Sequence, residues 1–387
     1  MRLALTLAAT TVLTLIACDE VAAQQKQSKQ AGTPATQYWM DVATHSMAGM
    51  PAGGFGMPGM GAGSNHFGAT RGGGPGKYVD LSLLVRGKPA GVDGTHAIPS
   101  GMAMGASLPL RPDSSGRSES GPESMERPKG RLVLYWGCDV NVRAGQPRIL
   151  DMRTATPAQI GAAFSGKYTG ARGARSGPGY SIWPNRENSR QVPGNASLVG
   201  EHRVSGDGVP ASLAFSVPAS HDFMPAVDVT AKGALGGSIP MEWRTVSGAT
   251  GYFAHATGQK GDDMIIWTSS EVPDAGFGLL DYVSPGQVER WTRERVVMPA
   301  AANRCAVPTG IFAGTDGAIA RLVAYGPELG RTHPPGTQSP EWSVRLRVWS
   351  TGMALLGDEG RGGRRGGGGG GGSDGNPLNS ILRGIFR

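Results

Sequence analysis

Residues 239–257, Ile239-Pro-Met-Glu-Trp243-Arg-Thr-Val-Ser-Gly248-Ala-Thr-Gly-Tyr252-Phe-Ala-His-Ala-Thr257, decide the fold class. Two short runs rich in apolar and aromatic residues flank a tight Ser-Gly turn, the pattern of strand, turn, strand. Each run carries one aromatic anchor, Trp243 or Tyr252, and both are expected to be buried. The same pattern continues outward, with strands predicted over 264–269, 288–297, 318–325 and 342–349. Turn signals separate them at 258–261, 285–286 and 334–336. Trp342, Val344, Leu346 and Val348 alternate with Ser343, Arg345, Arg347 and Trp349, as in a strand with one buried face. Short strands with frequent turns predict a β-sandwich over 235–356.

Trp243 followed by Val246-x-Gly248-Ala249-x-Gly251-Tyr252 resembles the passage between the B and C strands of fibronectin type III modules. In that family the Trp and Tyr are core residues and the turn is tight. The resemblance covers 239–257 alone; it implies an immunoglobulin-like sandwich and nothing about a ligand. Leu322-Val-Ala-Tyr325 is the nearest counterpart of the family's Tyr-containing F strand, and Cys305 is atypical for it.

Upstream, strands are predicted over 78–85, 98–110, 131–138 and 146–152. Arg131-Leu-Val-Leu-Tyr-Trp-Gly-Cys138 is almost continuously apolar, so a central strand buried on both faces is expected there. Thr156 followed by Pro157 starts a short helix over 157–164. Residues 165–195 read as a long exposed loop carrying Tyr168, Tyr180 and Trp183. A hairpin closes around 205–208, joining 197–204 to 211–217, and a strand follows over 226–230. The expectation is an all-β protein of two sandwich-like domains, 77–232 and 235–356, with long Gly-rich loops and disordered termini. The 63 glycines and 28 prolines belong to the connections, while eight tryptophans argue against wholesale disorder.

The termini suggest where the protein works. Arg2 precedes an apolar run over 3–17, too short to span a bilayer and fitting a signal peptide. Val21-Ala22-Ala23 is a small-residue cleavage site; Leu15-Ile16-Ala17-Cys18 resembles a bacterial lipobox, with Cys18 lipidated. Both readings imply export to the periplasm, the cell envelope or the medium. Of the three cysteines, export removes or modifies Cys18, and a Cys138–Cys305 disulfide is expected in an oxidising compartment. Residues 24–76 read as a disordered Gly/Met-rich arm. At the other end a Gly-rich linker over 357–375 precedes Leu378, Ile381, Leu382, Ile385 and Phe386, spaced as one face of a helix. That short peptide suits docking on a partner groove or a membrane interface.

Chemistry-bearing motifs are sparse. His45, Met47, Met50, Met57, Met60 and His66 supply thioethers and imidazoles suited to copper(I), the sharpest metal reading in the chain. His221-Asp222 and Asp262-Asp263 read as polar turns, and His202 and His255 as structural residues inside strands. There is no nucleophile elbow, zincin motif or phosphate loop, so no catalytic residue and no enzyme activity is expected. A hydrolase survives only if Glu271, Asp274 and Asp281 converge. The net charge of +7 is scattered, and export argues against nucleic acid as a partner despite Arg361-Gly-Gly-Arg364-Arg365. The expected function is binding or scaffolding in the envelope, with a protein or polysaccharide as partner and no cofactor; copper binding by the arm is the alternative.

Overall fold

The computed structural model describes residues 33–49, 65–113, 130–170 and 173–357. The chain is all-β. Its strands are β1 (Thr36–Met47), β2 (Gly76–Val85), β3 (Gly94–Ala97), β4 (Ser107–Pro112), β5 (Arg131–Trp136), β6 (Arg148–Asp151), β7 (Tyr180–Trp183), β8 (Gly200–Gly206) and β9 (Ala214–Val217). They continue with β10 (Val229–Ala231), β11 (Ile239–Trp243), β12 (Gly251–Lys260), β13 (Asp263–Thr268), β14 (Met298–Pro299), β15 (Arg304–Val307), β16 (Ala318–His333) and β17 (Trp342–Leu356). Three short helices interrupt them, α1 (Ala69–Gly72), α2 (Pro157–Phe164) and α3 (Pro285–Arg293).

Fourteen strands make one sheet in the order β6-β5-β13-β12-β16-β17-β1-β2-β7-β4-β3-β8-β9, with β14 alongside β12; β10, β11 and β15 make a second, three-stranded sheet. The main core lies between them. Val229, Ile239, Met241, Trp243 and Val307 of the small sheet join Val42, Leu322, Leu346 and Val348 of the large one in a single apolar cluster. The division into two domains at 232–235 is not confirmed. β5 runs parallel beside β13, and β1 parallel beside β17, so strands from both halves of the chain interleave.

The expectation of a disordered arm over 24–76 is corrected for its described part. β1 lies in the middle of the large sheet, parallel to β17 and antiparallel to β2. Tyr38, Met40 and Val42 point into the main core, while Ala43 joins a second cluster on the opposite face with Tyr78, Phe253, Tyr325 and Trp349. Because both faces are covered from Asp41 onward, that part of β1 lacks the apolar–polar alternation that marks a strand with one wet face. The same second cluster, capped by α3 and the segment before it, buries Trp349, which the alternation of 342–349 placed on the solvent side.

Two more local readings change. The strand expected over 288–297 is α3: Ser284 precedes Pro285, and Val288 and Trp291, three apart, are its buried residues. The exposed loop over 165–195 contains β7, which pairs with β2 and buries Trp183 completely. The strand over 131–138 is buried as expected at Leu132, Val133 and Leu134, but only β6 lies between it and the sheet edge. By contrast, α2 begins at Pro157 with the Thr156 hydroxyl and the Gln159 side chain capping each other's backbone N–H groups.

Trp243 and Tyr252 meet between the sheets, with ring centroids 5.6 Å apart. The Tyr252 hydroxyl accepts a 2.7 Å hydrogen bond from the Val246 N–H and so closes the turn. Tyr252→Phe leaves that buried N–H unpaired, and urea unfolding is expected to register a loss of about 1–2 kcal/mol. The Cys138–Cys305 disulfide is formed, tying the segment after β5 to β15 in the small sheet.

Candidate functional site

On β1 the odd-numbered side chains Gln37, Trp39, Asp41, Ala43 and His45 share the face opposite the main core, as the period of two requires. Register carries that face across three strands. Trp39 stands beside Arg345 and Ser82; Asp41 beside Arg347 and Asp80; Ala43 beside Trp349 and Tyr78. From Asp41 onward the face is covered. Before Asp41 it is open.

The covered half holds a row of three charged residues, Arg347, Asp41 and Asp80. Arg347 Nε and Nη2 donate to Asp41 Oδ1 and Oδ2 at 2.8 and 2.6 Å, and the two side chains are 8% and 2% exposed. Such burial demands this bidentate pairing. The Tyr282 ring lies 4.4 Å from the guanidinium and also packs on Trp349. Asp80 accepts from the Gly68 N–H and from the Thr70 hydroxyl, fixing the α1 segment to the sheet. Burial pushes the Asp80 carboxyl up to about 7; its hydrogen bond from Thr70 opposes the shift and the neighbouring Asp41 adds to it.

Residues 173–175 cross this row. The Ala174 N–H donates to Asp41 Oδ2 at 3.1 Å, and the Ser82 hydroxyl donates to the Arg175 carbonyl at 2.6 Å. A Cβ at Gly173 would fall 1.5 Å from Arg347 Nη2 and 2.3 Å from Asp41 Oδ2, so only glycine lets the backbone lie this close to the ion pair. The strap delivers Arg175 to the inner end of the open half.

That open half is a groove of about 700 Å³. Trp39 and Tyr180 stand in it with centroids 6.1 Å apart and planes inclined by 54°. Arg175, Arg331 and Arg345 line it, and among the described lining residues none is a carboxylate. Arg345 is held by Glu328 at 3.1 Å. Two tilted aromatic faces and guanidinium groups in one groove fit a ligand with apolar surfaces and negative charge.

The residues singled out in the sequence are scattered. His45 is buried, its Nδ1 bonded to the Thr351 hydroxyl at 2.7 Å and its Nε2 to the Ala69 carbonyl at 3.1 Å. Burial, with Arg321 nearby, lowers its pKa to about 3. Met47 ends β1 opposite Met353, and His66 is exposed beside α1. Met50, Met57, Met60 and Cys18 lie outside the described residues, as do Leu378, Ile381, Leu382, Ile385 and Phe386. Among the described residues no cluster of His, Cys, Asp and Glu is arranged to hold a metal ion. The three acids of the hydrolase reading are engaged separately: Glu271 with Arg143, Asp274 with the Lys167 and Gly276 N–H groups, Asp281 with Arg71. Of the three aromatics, Tyr180 enters the groove, Trp183 is core and Tyr168 is exposed elsewhere.

Trp39, Asp41, Asp80 and Arg347 escaped the sequence reading. The available signal was a carboxylate centred in each of two apolar runs, Tyr38-Trp-Met-Asp-Val42 and Tyr78-Val-Asp-Leu81. Comparison with protein families, curated proteins and solved structures finds no match to this chain.

Proposed function

We propose that this is an exported envelope protein that binds an acidic polysaccharide along the groove of Trp39 and Tyr180. The observation that carries the reading is the lining itself: three arginines, one of them paired with Glu328, two aromatic rings and, among the described lining residues, no acid in one open channel. Sugar rings offer apolar faces to the aromatics, and their carboxylates suit the fork of a guanidinium. Polar atoms of Gln37, Thr332 and Ser343 add hydroxyl partners at the same surface. Export rests on the apolar N-terminal run and is consistent with the disulfide.

The test is a binding titration of the full chain with an oligogalacturonate and with a neutral oligosaccharide of equal length. Tight binding is expected for the acidic glycan alone, weakening steeply with salt. Arg331→Ala is expected to reduce affinity about tenfold, roughly one charge-assisted contact, and Trp39→Ala by a similar factor, with unchanged thermal melting. Equal affinity for both glycans, or none for either, rejects the reading.

A further inference from the structure

A second groove, of about 570 Å³, opens on the opposite face of the large sheet toward the β6 edge. Val133, Ile265 and Ile311 line it as buried residues, and Tyr135, Pro147 and Ile149 as more accessible ones. Ile149 is 55% exposed, one of the few large apolar side chains so placed among the described residues. It sits on β6, the end strand of the sheet, whose outer edge has no neighbour among the described residues. An uncovered apolar strip next to a free strand edge invites association.

The position of the chain's exit points to what covers it. Leu356, the last residue of β17, stands in register with Ala318, then Gly258, Ile265, Val133 and Ile149 across β16, β12, β13, β5 and β6. The chain therefore leaves the described structure at the same end of the sheet as the groove, on a row of residues that runs into it. Four strand spacings separate β17 from β5, roughly 19 Å. Twenty residues, 358–377, precede the apolar stripe, and a Gly-rich chain of that length spans about 25 Å on average. The stripe itself offers Leu378, Ile381, Leu382, Ile385 and Phe386 on one helical face. Arg383 and Arg387 flank it, and Asp262 lies in the turn beside the groove's rim, where Asp263 of β13 is paired with Arg131.

We propose that residues 378–386 seat in this groove of their own chain as a short amphipathic helix and cap the apolar strip beside β6. A helix of this length is marginal alone, and the burial gained in the groove supplies what the isolated peptide lacks. The groove, rather than a partner or a membrane, is then the resident docking site of the C-terminal peptide. The inference is independent of the glycan reading, which concerns the other face.

Hydrogen exchange tests it on the full chain and on a chain ending at Gly372, both with the disulfide intact. Amides of β5, β6 and 311–313 are expected to exchange about fivefold faster or more in the shorter chain, while β8 and β9 stay unchanged. A synthetic peptide of 373–387 restores the protection, and Phe386→Asp in the full chain matches the truncation. Equal exchange in the two chains overturns the proposal. So does protection that vanishes on dilution together with a dimeric mass, which places the peptide in a second copy, or protection lost on removing 114–129 instead of the tail.

Discussion

Acidification from pH 7 to pH 4 destabilises this protein, with the urea midpoint falling steadily across that interval. Four histidines are buried: His45, His96, His202 and His255. Burial lowers all four, to about 3 for His45 and about 4 for His255, with Arg321 adding to both and His202 adding to the shift of His96. A histidine lowered on folding contributes stability that is present above its unfolded pKa near 6.5. That contribution is lost as the pH falls through the folded values. By pH 4, His45 and His255 together withdraw on the order of 6 kcal/mol, comparable to the stability of a typical domain. His96 and His202 act in the same direction. They form one chain in which the Tyr38 hydroxyl meets His96 Nδ1, His96 Nε2 meets His202 Nδ1, and His202 Nε2 donates to the Leu198 carbonyl. Each donor has one acceptor in that chain, so an added proton has nowhere to bond.

Asp80 works the other way. Its carboxyl is raised on folding, so its contribution is fully present below about 4 and lost as the pH rises through about 7. It returns on the order of 4 kcal/mol on acidification and offsets part of the histidine loss. Asp80→Asn removes that offset, and the stability of the variant is expected to fall more steeply between pH 7 and pH 4 than that of the parent. Denaturant midpoints at five or six pH values decide it; parallel curves for the two proteins would refute the assignment of Asp80.

Arg347→Met costs about 3–5 kcal/mol, because it leaves Asp41 buried without its cation. Arg71 lies 3.8 Å from the same carboxylate, too far to replace a bidentate pair. The double variant Asp41→Leu with Arg347→Met is expected to recover most of the loss, since an apolar pair of similar volume carries no desolvation cost. Recovery stays incomplete because the Ala174 N–H then lacks its acceptor. Urea melts of the three proteins give the coupling directly, and a single variant that loses less than about 1 kcal/mol contradicts a structural role for the pair.

What could be read from the sequence follows the range of the interactions involved. The Trp243–Tyr252 passage, the β8–β9 hairpin and the capped start of α2 are specified within a dozen neighbours. β1 is not: it directly precedes a stretch dense with glycine, and its pattern makes sense only when both covering faces are known. Arg347 looked like the wet side of β17, since its partner Asp41 lies 306 positions away. Tyr180 could be picked out as an accessible aromatic, but Trp39, the ring it meets, belonged to that same strand. The interleaving of β5 with β13 is likewise set by long-range pairing, so the succession of strands along the chain suggested a domain boundary that the sheet ignores.

The parallel seam between β1 and β17 also bears on how the protein is made. Synthesis delivers β1 long before its partner, so the middle of the sheet closes only once β17 has been made. Folding is therefore deferred and slow, as expected when the decisive contacts join segments far apart in sequence. A chain interrupted before residue 342 leaves β1 with a bare edge and Asp41 without its cation, a state open to proteolysis and aggregation. The topology thus acts as a check that synthesis has passed β17, since only then is β1 hidden on that side.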